Sequence, residues 1–302
     1  MMKIIVTGAF SYTGKYITRH LLDKGEQVIT LTNHPHRPDP FGRRVQAFPL
    51  DFDHENSLID HLAGADVLVN TYWVRFDRGT VTQLGAVENT RRLVRAAQAA
   101  GVRRIVHISI TNPSLESHLP YFSGKAANEK VIVDSGMSYC ILRPTLIFGQ
   151  EDILISNIAW ILRHFPFFAQ IGDGQYKLQP VFVDDLAEIA CQSVYQQKNV
   201  ILDVTGPDIY SFDDLVRLIG QKIGCPKPIL HFPAELALLA ARFISLFIGD
   251  VLITREEVQG LMAGLLVSSD PPRGTTRLSD WLEANRETVG RKYASEIARH
   301  YR

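Results

Sequence analysis

The strongest constraint on the fold is a regular alternation of short β-type runs with helical periods, from residue 3 to about residue 145. Runs such as KIIVTG (3–8) and QVITLT (27–32) are apolar and rich in β-branched residues, which is typical of buried strands. Segments with the apolar spacing of a helix lie between the runs, and a glycine follows two of them, at Gly25 and Gly101. This alternation predicts βαβ units and a parallel sheet with helices on both faces.

Six strands and four helices are predicted in this part of the chain. The strands are 3–8, 27–32, 44–51, 65–71, 103–109 and 139–145, and the helices are 14–24, 55–63, 81–100 and 120–135. We therefore expect an α/β protein with a doubly wound parallel sheet. The sheet domain is expected to span 1–150, with 179–206 returning to the sheet.

The rest of the chain has a different pattern and predicts a smaller, mostly helical C-terminal region made of 151–178 and 207–302. Only 181–183 and 200–206 are predicted as strands, and the predicted helices are 152–164, 184–196, 211–223, 234–248, 254–266 and 279–300. The stretch LALLAARFISLFI (236–248) is too short to span a bilayer and contains Arg242. We expect it to be a core, pocket-lining or subunit-contact helix, with attachment to a membrane surface as the alternative.

The composition is that of a globular protein and argues against several functional classes. Lys+Arg and Asp+Glu are both 32 among 302 residues, so there is no basic excess to hold nucleic acid. Three widely spaced cysteines predict neither a disulfide framework nor a metal clip, which fits a reducing compartment. We expect no signal peptide, no membrane span, a cytoplasmic location, and a monomer or homodimer that acts on a small molecule.

The octet TGAFSYTG (7–14) stands between the first strand and the first helix, where dinucleotide-binding folds place a glycine-rich turn. Gly8 can make the tight turn, and Gly14 can let the helix pack closely on the strand. The middle glycine of the usual pattern is absent, and Ser11 is a small residue whose hydroxyl or N–H could donate to a pyrophosphate. A plain strand–turn–helix with glycines at its bends is the alternative.

The end of the second strand bears on which dinucleotide would bind. An Asp or Glu there would bind the ribose 2′-hydroxyl and favour NAD, but TNHPHR (32–37) contains no acid. His34 and Arg37 could meet a 2′-phosphate, which favours NADP, whereas Asn33 suits either cofactor. No metal site is predicted, because neither cysteines nor an acidic cluster accompany His34 and His36.

The segment PYFSGKAANE (120–129) places Tyr121 and Lys125 four residues apart, on one face of a helix. A free phenol has a pKa of about 10 and is a poor acid or base at neutral pH. An ammonium group one turn away favours the phenolate and lowers that pKa. The segment follows the fifth strand, whose carboxyl end is where ligands bind in an open α/β sheet.

Together these motifs resemble the short-chain dehydrogenase/reductase superfamily in its extended and atypical branches. The resemblance covers most of the chain and includes AGVRRIVHIS (100–109), LRPTLIFG (142–149), QPVFVDDLAEIA (179–190) and GPDIYSFDDL (206–215). Similar proteins include the NAD-dependent epimerase/dehydratase family, NmrA-like and isoflavone-reductase-like proteins, and the nucleotide-binding accessory subunit of respiratory complex I. The resemblance implies a Rossmann-type domain followed by a substrate-binding region.

The resemblance also implies roles for the matching residues. Those expected to cradle the pyrophosphate are Gly8, Phe10, Ser11, Tyr12, Thr13 and Gly14. Those expected along the rest of the cofactor are Asp51 and Phe52 at the adenine, Thr71 beside the cofactor, and Pro144, Thr145 and Ile147 at the nicotinamide. Tyr121 would give or take a proton, and Lys125 would assist it and hold the nicotinamide ribose. Ile110 stands where the family has its third catalytic group, so Ser109 or Thr111 could substitute.

We expect an NAD(P)-dependent oxidoreductase or an epimerase/dehydratase, in which a hydride moves at a substrate carbon while Tyr121 shuttles the proton. The substrate is expected to be small and partly apolar, because aromatic residues are frequent in 72–80 and 148–178. The alternative is a sensor, or an assembly or structural subunit, that binds NADP(H) without turnover. Ile110 and the stretch 236–248 favour this alternative.

Overall fold

The computed structural model describes residues 1–35, 37–233 and 255–295, and it confirms the predicted α/β class. Up to residue 144 the elements are β1 (Lys3–Thr7), α1 (Tyr12–Asp23), β2 (Gln27–Thr32), β3 (Gln46–Pro49), α2 (Glu55–Leu62), β4 (Val67–Asn70), α3 (Gln83–Ala99), β5 (Arg104–Ile108), α4 (Pro120–Asp134) and β6 (Ser138–Pro144). Those that follow are β7 (Ile147–Phe148), α5 (Leu154–His164), β8 (Phe168–Ile171), β9 (Lys177–Leu178), β10 (Val181–Phe182), α6 (Val183–Val194), β11 (Val200–Val204), β12 (Tyr210–Ser211), α7 (Phe212–Lys222), β13 (Ile229–Phe232), α8 (Arg255–Met262) and α9 (Leu278–Ala284).

Seven parallel strands form the central sheet in the order β11-β6-β5-β4-β1-β2-β3. The strand order reverses between β1 and β4, which makes the carboxyl ends of these two strands the topological switch point. All residues of β4 and β5 are buried, as expected for strands covered on both faces. Helix α1 packs against α6, and α3 packs against α2 and α4. The helices that accompany the sheet and pack with one another therefore form two groups, α1 with α6 and α3 with α2 and α4.

The described chain divides into two compact units. The first unit is 1–144 with 183–204, and it contains the whole seven-stranded sheet. The second unit is 145–182 with the described residues from 205 onward. In the second unit three short strand pairs, β7–β10, β8–β13 and β9–β12, accompany a core that includes Phe148, Leu178 and Leu215.

The second unit differs from the sequence-based expectation in its strands. We predicted only 181–183 and 200–206 as strands after residue 150, both within the segment 179–206 expected to return to the sheet, yet Phe168–Ile171 pairs in parallel with Ile229–Phe232. Each of these strands has only four residues, and its partner lies about sixty residues away along the sequence. Local periodicity therefore carried too little signal to reveal the pair.

The predicted helix 279–300 is also wrong, because α9 ends at Ala284. The Asn285 side-chain amide donates to the Trp281 carbonyl at 2.8 Å at this end. Gly290 has φ +69°, and a Cβ there would lie 2.5 Å from the Ala159 backbone, which excludes a continued helix. The predicted helix 234–248, with the apolar stretch 236–248, lies outside the described residues, as does 296–302.

No helix in the described part of the chain is long and apolar enough to cross a membrane.

Candidate active site

The turn after β1 has the backbone geometry of a phosphate-binding turn. Gly8 has φ +72°, and its N–H donates to the Leu31 carbonyl at 2.8 Å. A Cβ on Gly14 would lie 2.1 Å from the Gly8 carbonyl oxygen, so only glycine allows α1 to approach β1 this closely. The first N–H groups of a helix have no intrahelical partner and lie at its positive end. The start of α1 can therefore bind an anion.

Ser11 lies differently from the expectation. Its hydroxyl donates to the Gly8 carbonyl oxygen at 2.6 Å, and its N–H donates to the same oxygen at 2.8 Å. Both donors are used inside the turn and are not directed at a phosphate. Ser11 therefore tightens the turn, and α1 begins at the next residue, Tyr12.

A cavity of about 490 Å³ lies at the carboxyl ends of β2 and β3. Its lining includes three of the predicted cofactor residues, Asn33, Asp51 and Phe52. Asp51 contacts the His54 imidazole at 2.7 Å, and this hydrogen bond, followed by that from the Asp53 N–H, lowers the pKa of the Asp51 carboxyl. The cavity is large enough for the adenosine end of a dinucleotide.

His34 and Arg37 lie in the loop that follows β2. The His34 N–H donates to the Thr32 hydroxyl at 3.1 Å, and the Arg37 N–H donates to the His34 carbonyl at 3.1 Å. Burial and then the Arg37 charge lower the pKa of His34. The lowered pKa favours the neutral form of His34 at pH 7, whereas Arg37 is a cation. His36 lies outside the described residues.

Thr71 joins the two strand ends at the switch point. Its N–H donates to the Thr7 hydroxyl at 2.8 Å, and its own hydroxyl donates to the Thr7 carbonyl at 2.5 Å. A Cβ on Gly8 would lie 3.5 Å from the Thr71 hydroxyl, so this hydroxyl borders the phosphate-binding turn. The structure thus places Thr71 beside the turn where a dinucleotide would pass.

Helix α4 carries Lys125 in a buried position at the carboxyl end of β5. Lys125 is 4% exposed, and its Nζ donates to the Ile108 carbonyl at 2.9 Å. Burial lowers the pKa of Lys125 to about 7, and the Glu129 charge opposes that shift. Tyr121, one turn earlier, is half-buried and its ring lies perpendicular to that of Trp73, with centroids 5.7 Å apart.

The two hydroxyls expected to supply the third catalytic group are buried and occupied. The Ser109 hydroxyl donates to Glu129 Oε1 at 2.5 Å, and the Thr111 hydroxyl donates to Asp203 Oδ2 at 3.2 Å. Ser109 is 4% exposed and Thr111 is 0% exposed. A hydroxyl has one proton to donate, so in this structure neither can polarise a substrate oxygen, contrary to the expectation.

Glu129 is a residue that sequence reasoning missed. Arg143 donates to both of its carboxylate oxygens, at 2.9 Å and 2.5 Å, while Ser109 donates to one of them. The cluster ties α4 to β6 and to the end of β5, and so it holds the helix that carries Tyr121 and Lys125. Glu129 and Arg143 lie in two of the motifs quoted above, PYFSGKAANE and LRPTLIFG. The spacing of charged residues along the sequence does not reveal that these two form an ion pair.

A second network of buried polar side chains connects the switch point to β5. The Thr7 hydroxyl donates to Asn70 Oδ1 at 3.1 Å, and Asn70 Nδ2 lies 3.2 Å from His107 Nδ1. Burial, with the Lys125 charge, lowers the pKa of His107 to about 3, so the ring is neutral at pH 7. Its Nε2 and the amide of Asn128 are buried without a hydrogen-bond partner among the described residues.

The remaining predicted residues lie in both units. Phe10 contacts Phe41 with ring centroids 6.4 Å apart, and the Pro144 carbonyl accepts from the Thr111 N–H at 3.0 Å, both within the first unit. Thr145 and Ile147 belong to the second unit, where the Thr145 hydroxyl donates to the Gln179 carbonyl. The Thr145 hydroxyl is thus engaged within its own unit.

Comparison with known proteins supports dinucleotide binding by the N-terminal half of the chain. Residues 8–153 match a family model described as NAD(P)H-binding. The mitochondrial NADH dehydrogenase [ubiquinone] 1 alpha subcomplex subunit 9 of Arabidopsis thaliana is 25% identical, over 78% of this chain and 62% of its own length. This chain therefore spans about three fifths of the length of such relatives.

Solved structures share the fold. The NADPH-dependent quinone oxidoreductase of Escherichia coli, complexed with NADPH, is 20% identical with a TM-score of 0.74, over 93% of this chain and 99% of the other. MoeE5 in complex with UDP-glucose and NAD is 22% identical with a TM-score of 0.68, over 94% and 97%. At these identities the similarity concerns the fold alone.

Proposed function

We propose that this chain is an NAD(P)-dependent oxidoreductase or epimerase/dehydratase of the extended short-chain dehydrogenase/reductase type, because residues 8–153 match a family model described as NAD(P)H-binding. The observation that carries the proposal is the buried ammonium group of Lys125, one turn from Tyr121 at the carboxyl end of β5. The bound nicotinamide would supply or accept the hydride. Tyr121 would give or take the proton of the substrate oxygen, and Lys125, whose pKa is about 7, would exchange a proton at neutral pH.

The chain's own residues fit a dinucleotide. The turn from Gly8 to Gly14 leads into the N-terminus of α1, which can bind a pyrophosphate, and the cavity at β2 and β3 has room for the adenosine end. We propose NADP over NAD, because Arg37 is a cation in the loop after β2 and Asn33 is not an acid. The substrate would be small and partly apolar, and the cytoplasmic location remains a prediction.

The Tyr121→Phe variant tests the mechanism, since it removes the phenol and keeps the ring. We expect turnover to fall by roughly 100-fold or more, while the Kd for NADPH changes little. Tyr139→Phe, which removes a phenol from β6 in the same unit, is the matched control and should keep its turnover. Turnover that survives in Tyr121→Phe would contradict the mechanism, whichever carbonyl compound serves as substrate.

A second candidate function is an NADP(H)-binding sensor or an assembly or structural subunit without turnover. The occupied hydroxyls of Ser109 and Thr111 favour it, because the site then lacks an exposed third catalytic group. The relatives named as subunits of NADH dehydrogenase point the same way. Native mass spectrometry of the purified protein would detect a retained dinucleotide. Retained NADPH that no carbonyl in a panel oxidises would support this function, and rapid oxidation by one carbonyl would exclude it.

A further inference from the structure

Trp73 lies against both members of the proposed catalytic pair. Its ring is perpendicular to that of Tyr121, with an interplanar angle of 88° and centroids 5.7 Å apart. Lys125 Nζ lies over the same indole at 5.0 Å from the ring centroid, within the range of a cation–π interaction. One indole therefore contacts the ring that would exchange the substrate proton and the ammonium group that would assist it.

A glycine on α4 makes this contact possible. A Cβ on Gly124 would lie 2.6 Å from Trp73 Cη2 and 3.3 Å from Cζ2, which is closer than a methyl group can approach. The indole Nε1 is buried without a hydrogen-bond partner among the described residues. The position of Trp73 therefore depends on packing, and Gly124 is the residue on which it packs.

The charges around Lys125 give the indole an electrostatic role. Glu129 on α4 attracts the ammonium, but Arg143 from β6 already donates to both of its carboxylate oxygens. His107 on β5 is buried and neutral at pH 7, so it adds no attraction. Burial penalises the ammonium, and the electron-rich face of the indole offsets part of that penalty.

We propose that Trp73 is a positioning residue for Tyr121 and Lys125, with its indole seated on Gly124, oriented against the Tyr121 ring and stabilising the Lys125 ammonium. The catalytic role of Trp73 rests on the proposed function. Its effect on the charge of Lys125, however, is a property of the protein without cofactor or substrate. This effect separates Trp73 from an ordinary core aromatic by the direction of the change. Removing a ring that only excludes water would raise the pKa of Lys125, whereas removing a cation–π partner would lower it.

The experiment measures the titration of Lys125 in protein labelled with ¹³C-lysine. The ¹³Cε resonance of Lys125 is assigned by its loss in Lys125→Met and is then followed against pH. We expect Trp73→Leu to lower the pKa of Lys125 by roughly 0.5 to 1.5, because the cation–π interaction favours the charged amine. In Trp73→Phe, which keeps an aromatic face, the pKa of Lys125 should stay closer to the wild-type value than in Trp73→Leu. Gly124→Ala should act in the direction of Trp73→Leu, because its methyl group displaces the indole, and it serves if Trp73→Leu does not fold.

Trp281→Leu is the matched control, because it removes an indole from the second unit, where Trp281 contacts Phe148. It should leave the titration of Lys125 unchanged. The proposal is overturned if Lys125 keeps or raises its pKa in both Trp73→Leu and Gly124→Ala, or if Trp281→Leu lowers that pKa equally. Binding of NADPH to the wild-type protein is measured separately by its fluorescence. Failure of that binding would remove the proposed function, whereas the titration would still decide the role of Trp73.

Discussion

At the scale of single residues, the protonation of Lys125 is set more by its buried surroundings than by the intrinsic pKa of a lysine side chain. An exposed lysine keeps its proton to about pH 10.4. In this protein burial removes water from the ammonium and lowers the pKa of Lys125 to about 7, despite the bond from Nζ to the Ile108 carbonyl. Such a lysine can change its charge near neutral pH, which suits a partner of a catalytic phenol.

The first prediction concerns the stability of the Lys125→Met variant. Between pH 7 and pH 10.5 the unfolded lysine holds its proton and the folded one has lost it, so the wild type gains stability as pH rises. We expect Lys125→Met to be more stable than the wild type below pH 7, and this difference to shrink by at most about 1.4 kcal/mol per pH unit above it. Urea unfolding at pH 6, 8 and 9.5 measures it.

Lys130→Met is the control for this prediction, because Lys130 is exposed on the same helix and pairs with Asp134. Its effect should be small, since an exposed pair contributes little, and should vary little between pH 6 and pH 9.5. A stability difference of Lys125→Met that does not depend on pH would contradict the lowered pKa of Lys125.

The second prediction concerns Asn33, which lines the cavity at the end of β2. A carboxylate at this position accepts from a ribose 2′-hydroxyl and repels a 2′-phosphate. We expect Asn33→Asp to raise the ratio of the Kd for NADPH to the Kd for NADH by roughly tenfold, which corresponds to about 1.4 kcal/mol. Asn89→Asp adds the same charge to the lining of the same cavity and should change the ratio less. If the ratio of the two Kd values is unchanged in Asn33→Asp, the ribose that carries the 2′-phosphate does not bind beside Asn33.

At the scale of elements, α1 and α4 meet the ends of the strands in different ways. Helix α1 begins against the Gly8 carbonyl, where Gly14 leaves no room for a side chain. Helix α4 is held by the buried Glu129, which binds Arg143 from β6 and Ser109 from the end of β5. The first attachment is a close backbone approach and the second is a buried polar cluster, and each fixes the position of its helix relative to the sheet.

The third prediction tests the attachment of α1 with Gly14→Ala. The added methyl group would lie 2.1 Å from a backbone oxygen, so α1 must move away from β1. We expect a loss of about 1 to 3 kcal/mol in the free energy of unfolding and weaker binding of NADPH. Gly85→Ala on α3 is the control, because its methyl group meets only the Thr82 hydroxyl, at 3.1 Å. Equal effects of the two variants in urea unfolding and fluorescence titration would contradict the prediction.

At the scale of the whole molecule, the sheet order brings sequence-distant strand ends into one row. The phosphate-binding turn follows β1, Thr71 follows β4, and Ser109 follows β5, although about 100 residues separate the first from the last. The row lies at the carboxyl edge of one parallel sheet, where the N-terminus of α1 also points. We therefore expect dinucleotide binding to depend on the packing of the first unit as a whole.

The fourth prediction follows from this linkage between binding and folding. A ligand that binds the folded state at 100 times its Kd adds about 2.7 kcal/mol to the free energy of unfolding. We expect saturating NADPH to raise the thermal midpoint of the wild type and of Tyr121→Phe equally, because the phenol serves the chemical step. Differential scanning fluorimetry measures the midpoint. No shift with millimolar NADPH or NADH would contradict dinucleotide binding.

Local patterns in the sequence were sufficient to predict the α/β sheet, most of its strands, the turn at Gly8 and Gly14, and the helical face shared by Tyr121 and Lys125. These features depend on periodicity, on backbone freedom at glycine and on neighbours within one helical turn. Dinucleotide binding is supported by the family model, while the individual site residues remain predictions.

The tertiary structure alone decided which polar groups are engaged and which strands pair. Ser109 and Thr111 looked equally able to serve as a third catalytic group, but their hydroxyls donate to Glu129 and Asp203, 20 and 92 residues away. The pairing of β8 with β13 and the contacts of Trp73 with Tyr121 and with Lys125 likewise join residues that are distant in the sequence. The sequence determined the local propensity of each segment, whereas burial and hydrogen bonding between distant segments were settled only when the chain folded, because both depend on which groups meet in space.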